Sequence, residues 1–144
     1  MNVDVLEAQS EFEIAIAYMM VSAYAQSAED PVTEVLDTLP EDIESGRVSA
    51  VLTMLNGFPA AIGLLMPAED GTRQLRCGFT HPDCRGYGAW SATLDRHIAQ
   101  CRAEGMRVWA ALGPRDTRAG LALERRGFVA DRPGSWMLSP ASGS

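Results

Sequence analysis

The chain predicts one α/β domain, a mixed and mostly antiparallel central sheet of about seven strands flanked by helices. The expected order is β-α-α-β-β-β-α-β-α-β-β. Three observations carry this reading. Apolar residues recur at helical spacing in some stretches and at strand spacing in those between them. Asn56-Gly57, set between two apolar runs, is a hairpin signal, because both residues tolerate positive φ. The run from Phe79 to Ala103 passes from a strand through a glycine-bearing turn into a helix, and such a crossover lets the next strand lie parallel to the previous one.

In order, Val3 to Ala8 reads as the first strand. Ser10-Glu11-Phe12-Glu13 has the form of a capping box and opens a helix to about Gln26, with Phe12, Ile16, Met19, Met20 and Ala23 as its inward face. Asp30-Pro31 starts a second helix with Val32, Val35, Leu36 and Leu39 as its stripe, which Pro40 is expected to interrupt. The acidic residues Glu41, Asp42 and Glu44 read as a solvated face. Val48 to Leu55 and Phe58 to Met66 form the hairpin, with Gly63 as a bulge or point of close approach. Glu69-Asp70-Gly71 turns the chain into a third antiparallel strand, Thr72 to Thr80. The central helix carries Leu94, Ile98 and Cys101 on one side and stops at Gly105. Arg107 to Leu112 is a short apolar strand suited to a sheet centre. Asp116 or Thr117 caps a last helix ending at Arg126 and Gly127. Phe128 to Asp131 and Trp136 to Leu138 close the sheet around Pro133-Gly134. The domain spans residues 1–140, and 141–144 read as a flexible tail.

The composition bounds the function. At 144 residues with 47% apolar content, the chain is large enough for a core without disulfide or metal staples. It shows neither an apolar run of membrane-spanning length nor the basic start and apolar core of a signal peptide, so no membrane role is expected. Three cysteines, with no CxxC pair, suggest reduced thiols and a cytoplasmic location. His97 and Cys101 are four apart on one helix, a spacing that suits a shared metal. With two histidines in the chain and no further ligand cluster, core packing is preferred and no metal is expected. A net charge of −7 argues against nucleic acid as a partner.

The stretch Phe79 to Ser91 carries the chemistry. A turn that delivers the chain into a helix leaves backbone N–H groups without carbonyl partners, and the helix dipole adds positive potential. Gly86 and Gly88 let the backbone approach an anion, and Arg85 supplies a fixed charge. The pattern suits a phosphate or diphosphate. A tight strand-helix connection without a ligand is the plainer reading of the turn alone.

Thr80-His81-Pro82-Asp83-Cys84-Arg85-Gly86-Tyr87-Gly88 resembles the coenzyme A signature of the GNAT superfamily of N-acetyltransferases, and Asp116 to Phe128 is similar to that family's later motif, with Ala119, Arg125, Gly127 and Phe128 at matching offsets. Gly63 fits the same pattern, and the element order covers nearly the whole chain. The resemblance implies acetyl-CoA as cosubstrate and an amine as acceptor, attacked directly at the thioester. It implies that Gly86, Tyr87, Gly88, Ala89, Trp90 and Ser91 present N–H groups to the pyrophosphate. Gly78, Phe79 and Thr80 would lie where the strands part, holding the pantetheine arm and polarising the acetyl carbonyl. Asp116 would lie near the cofactor.

Four departures from the family pattern stand beside these matches. Trp90 replaces the last small residue of the glycine signature, and its ring has room only if it points into the fold. Leu123 stands where many members hold a tyrosine proposed to protonate the departing thiolate. Asp116 replaces an asparagine, and Ala111 stands where some relatives carry a glutamate base. His81 is the remaining candidate base, though a histidine ending a strand at the surface is the plainer reading. Tyr87 is expected to lie along the cofactor and Cys84 to pack; Trp109 and Trp136 read as core or pocket wall. Water is an alternative proton carrier. A catalytically degenerate binding or structural module of the same fold, of phage or assembly type, is the alternative function. A toxin-type enzyme acting on aminoacyl-tRNA suits the fold but not the charge. A homodimer through the C-terminal strands is compatible with the Met and Trp residues there.

Overall fold

The computed structural model describes residues 1–27, 32–68, 71–111, 117–132 and 134–139. Along them run β1 (Val3–Glu7), α1 (Glu11–Ser27), α2 (Thr33–Glu44), β2 (Ser49–Leu55), β3 (Phe58–Pro67), β4 (Arg73–Thr80), α3 (Ala89–Glu104), β5 (Val108–Ala111), α4 (Thr117–Arg125), β6 (Val129–Arg132) and β7 (Ser135–Leu138). This is the element order expected from the sequence. The strands form one seven-stranded sheet in the order β1-β2-β3-β4-β5-β7-β6. β4 and β5 pair in parallel, as the helical crossover allows, and the other neighbours pair antiparallel.

Local chemistry accounts for the boundaries. The N–H of Glu13 donates to Ser10 Oγ at 3.1 Å, while Glu13 Oε1 accepts from the N–H groups of Ser10 and Gln9, each at 3.0 Å. The Ser10 and Gln9 amides hold the Glu13 carboxyl below its ordinary pKa. Asn56 and Gly57 adopt φ of 50° and 80°, so the β2-β3 turn has the twist a tight hairpin requires. Helix α3 closes where the N–H of Met106 donates to Cys101 O at 2.9 Å, and α4 closes in the same way, Phe128 N to Leu123 O at 3.0 Å.

Strand alternation divides the core between the faces. Leu52, Ile62, Leu64 and Cys77 pack against Ile14, Ala17, Val21, Val35 and Leu39 of α1 and α2. On the opposite face Leu65, Val108 and Ala110 meet Leu94, Ile98 and Cys101 of α3 and Leu123 of α4. Neighbours Leu64 and Leu65 thus serve different layers, as the period of two demands.

Two expectations need correction. Pro40 does not interrupt the second helix, which runs on to Glu44. The bond lost at the proline is outweighed because Leu39 and Ile43, on either side of it, are both buried and hold the helix to the sheet. The inward face of α1 is also rotated. Met20 is buried and Ile16 packs against the core as expected, but Phe12 and Met19 are 75% and 65% exposed, and Ile14, Ala17 and Val21 are buried in their place. The helix is apolar on nearly every side, so spacing alone does not select a face; the small Ala17 lets this side approach the sheet. Asp30-Pro31, Glu69-Asp70, Pro133 and the 141–144 tail lie outside the described residues.

Candidate functional site

The site begins where β4 and β5 part. Their register pairs Arg73 with Val108, Gln74 with Trp109 and Leu75 with Ala110. Beyond Leu75, β4 continues to Thr80 alongside β3, and Ala111 of β5 pairs with Ser135 of β7. The parallel pair therefore opens toward the C-terminal ends of both strands, leaving one edge of β4 from Cys77 to Thr80 without β5.

A bulge shapes that edge. Ile62 pairs with Phe79 and Leu64 with Arg76, so one more residue lies on β4 than on β3 between these pairs. Cys77, buried in the α1/α2 core, takes φ of 58°, a conformation uncommon for a residue with a side chain. Gly63 faces the bulge, and both parts of its expected role are realised. The strands fall out of step beside it, and a Cβ there would stand 3.0 Å from Thr93 Cγ2 and 3.3 Å from the His97 ring. His97 Nε2 donates to Gly63 O at 2.9 Å, which fixes the tautomer with Nδ1 bare; Nδ1 is buried without a partner among the described residues. Burial pushes the His97 pKa down to about 4. Beside it, the Thr53 and Thr93 hydroxyls meet at 2.7 Å, and Thr93 Oγ1 donates to Ala89 O. Sequence reasoning placed His97 in the core but missed its bond to the bulged strand pair. The signal available was a glycine inside an apolar strand; its pairing with His97, 34 residues on, needed the fold.

The turn into α3 is built from the end of β4. The N–H of His81 donates to Ala60 O at 2.7 Å, and its ring packs edge-on against Phe58 with centroids 5.1 Å apart. His81 Nδ1 accepts from the N–H of Asp83 at 3.1 Å, so this nitrogen caps the short helical turn Pro82–Cys84. Cys84 is buried against Leu55, Ala60, Ala61 and Ala89. Gly86 and Gly88 then take φ of 88° and 75°, the left-handed region where glycine is favoured, and the space where a Cβ would stand is open to 4 Å at both. Gly88 caps α3 without a side-chain bond, and the first bond of the ladder runs from Ala92 N to Gly88 O. The N–H groups of Ala89, Trp90 and Ser91 therefore precede the ladder. Arg85 and Tyr87 are exposed beside them, Ser91 is half-buried, and buried Ala89 anchors the helix start. Thr80 pairs with Ala61 at the end of β4, and half-buried Phe79 packs on the α1/α2 core. Asp116 lies outside the described residues.

Trp90 turns its ring into the fold. It packs on the core between α3, α4 and β5, and it reaches Gly78, where a Cβ would lie 2.7 Å from the indole Nε1. Leu123 is fully buried in the layer beneath α3 and α4. Ala111 is exposed at the end of β5 and brings no carboxylate. Burial raises the Cys101 thiol to about 11, far from the thiolate a metal or a nucleophile needs. Among the described residues there is no group of three or more His, Cys, Asp or Glu side chains placed to hold a metal ion, and no helix long and apolar enough to cross a membrane.

The arrangement suits an anion better than it suits proton transfer. Backbone donors at the head of a 16-residue helix, open space above two glycines, and an exposed arginine together fit a diphosphate. The Trp90 ring stands beside the place where β4 and β5 part.

No family model matches the chain, and no curated protein matches it in sequence. Solved structures do match it in shape. A GNAT-family acetyltransferase from Staphylococcus aureus Mu50 superposes with a TM-score of 0.77 at 10% identity, over 97% of this chain and 100% of that one. A GNAT-family acetyltransferase from Brucella melitensis in complex with acetyl-CoA gives 0.74 at 14% identity, over 98% and 90%. A predicted acetyltransferase from Clostridium acetobutylicum, solved with acetyl-CoA, gives 0.69 at 11%, over 90% and 91%. The chain has the fold of the GNAT acetyltransferases.

Proposed function

We propose that the chain is an acetyl-CoA-dependent N-acetyltransferase that passes an acetyl group to an amine by direct attack. The observation that carries this reading is the coincidence, on consecutive elements, of an open anion-binding helix start and a parted strand pair, in a fold shared with acetyltransferases solved with acetyl-CoA. Coenzyme A, when bound, supplies the acetyl group as a thioester. The N–H groups of Gly86 to Ser91, with Arg85, hold its diphosphate, and the free edge of β4 at Gly78, Phe79 and Thr80 meets its arm. Proton removal falls to water: His81 spends Nδ1 on its cap, and neither Leu123 nor Ala111 carries a titratable group.

Saturable stabilisation by acetyl-CoA and by free coenzyme A in a thermal-shift titration tests the reading, since a ligand that binds only the native state must raise its stability. An amine screen with detection of released thiol follows. Gly88→Glu places a carboxylate against the diphosphate and is expected to abolish the shift. Its cost to the unliganded fold is about 1 kcal/mol, because Gly88 holds a left-handed φ. An undiminished shift in that variant removes the cradle from the proposal. The second reading, a non-catalytic module of the same fold, is favoured by the Trp90 ring at Gly78 and the aliphatic side chains at 111 and 123. Turnover with any amine dismisses it.

A further inference from the structure

We propose that His81 is a positioning residue for the anion cradle. Its neutral ring holds the turn that leads to Gly86 and Gly88, and a proton on that ring releases the turn and weakens the hold on a diphosphate. The inference rests on the reading that a coenzyme A thioester is the ligand, and it adds a pH dependence to that site.

It starts from one lone pair. The N–H of Asp83 donates to His81 Nδ1 at 3.1 Å, so Nδ1 is bare and the hydrogen of the neutral ring sits on Nε2. A proton taken up by this ring goes to Nδ1. Capping and proton uptake therefore compete for the same lone pair, and the cap exists only while the ring is neutral. Asp83 Oδ2 lies 3.9 Å from Nδ1, and a charged ring turns to it in place of the amide. The segment packed against the ring, the start of β3 at Phe58 and Ala60, brings no titratable or charged group.

The sheet holds His81 by its main chain and by its ring. Its N–H donates to Ala60 O at 2.7 Å, and its ring stands edge-on against Phe58. The turn Pro82–Cys84 is in turn bound back to His81. The Asp83 amide donates to the ring, and the Cys84 amide donates to the carbonyl at 2.8 Å. Gly86 and Gly88 carry no side chain, and nothing lies within 4 Å of where a Cβ would stand. The cradle therefore takes its course from the residues on either side. On one side stands buried Ala89; on the other stand Cys84 and the capped turn. A ligand that needs the capped turn binds at full strength only to the fraction of molecules that hold it.

The proton has two opposed effects, and the sign of the outcome separates them. A positive charge beside an anion site raises affinity as pH falls. Loss of the cap lowers it. Dephospho-coenzyme A is the probe. Its diphosphate, esterified at both ends, takes up no proton across the range of about pH 8 to pH 5 in which an imidazole titrates. Affinities are measured calorimetrically for the wild-type chain, His81→Asn and His81→Ala. An asparagine Oδ1 accepts from the amide two residues on, as Nδ1 does here, and it does not titrate. Wild-type affinity is expected to fall about fivefold as the His81 imidazole resonance titrates, the worth of one such cap. His81→Asn keeps the tight value throughout, and His81→Ala is weak at both ends of the range. Every other titrating group, His97 included, is common to the wild-type chain and His81→Asn, so the difference between them belongs to His81. Wild-type affinity that holds or rises as the imidazole titrates overturns the proposal and leaves the acetyltransferase reading standing. So does a His81→Asn protein that weakens in step with the wild type, or a His81→Ala protein as tight as the wild type at the alkaline end. Absence of binding by all three proteins at every pH overturns both.

Discussion

From Arg73 to Leu75, β4 is paired on both edges, with β3 on one side and β5 on the other; from Cys77 to Thr80 its strand partner among the described residues is β3. The paired half is held by repeated, interchangeable forces: ladder bonds, a layer of aliphatic side chains around Leu65, Val108 and Leu138, and the Arg73–Glu104 ion pair. The half beyond Leu75 is held by individual arrangements: a buried cysteine in a left-handed conformation, a histidine bonded to the strand opposite the bulge, and an indole seated on a glycine. One strand thus joins a generic scaffold to a purpose-built edge. The difference teaches that stability and ligand response should be separable by mutation, even within a few residues of each other.

The largest expected effect lies in the paired half. Leu65 is 1% exposed and pairs with Leu75, so Leu65→Ala is expected to cost about 2–5 kcal/mol in urea denaturation. The added stability from saturating acetyl-CoA should be the same as in the wild-type chain; its loss would show that the two halves are one unit.

Next comes His97, which ties α3 to the strands at the bulge. Its folded pKa of about 4 lies below the unfolded value near 6.5, so the unfolded chain takes up the proton first as pH falls. Stability conferred by neutral His97 is complete above that range and declines as pH drops from about 6.5 to 4, by about 3 kcal/mol at the acid end. Urea midpoints at neutral and acid pH, compared between the wild-type chain and His97→Gln, isolate this contribution from the carboxylates. Equal pH dependence in the two proteins would remove His97 from the edge.

The smallest effect calibrates the others. Ser10 caps α1 through its hydroxyl, and Ser10→Ala is expected to lower stability by about 1 kcal/mol in thermal unfolding with no change in ligand response. A changed ligand response would mean that α1 shapes the opening.

The order of elements was legible because its signals are local. Ser10 and Glu13, Asn56-Gly57, and the helix stops at Gly105 and Gly127 each act within a few residues, and all appear where the residues placed them. The turn from Arg85 to Ser91 was legible for the same reason. What failed or stayed hidden depends on residues far apart in the chain. Whether Pro40 ends its helix is decided by the burial of Leu39 and Ile43 against a sheet that forms later in sequence. The face α1 presents is chosen by the sheet, since a helix apolar all round contains no choice of its own. The direction of the Trp90 ring was foreseen as a condition, but its seat on Gly78 required knowing that β4 and α3 cross there. Gly63 marked the irregularity between β3 and β4, but nothing in the apolar pattern showed that the extra residue would fall on β4 at Cys77.

The reduced cysteines have a practical consequence. Cys77, Cys84 and Cys101 are all buried, and each belongs to a different packing cluster: Cys77 beneath α1 and α2, Cys101 on the inner face of α3, Cys84 under the turn into α3. A thiol reagent reacts with each only when its own cluster opens and its thiolate forms. The native chain therefore carries three chemical clocks, one per cluster, with no label to engineer. Alkylation followed residue by residue would time the breathing of each layer in the intact protein.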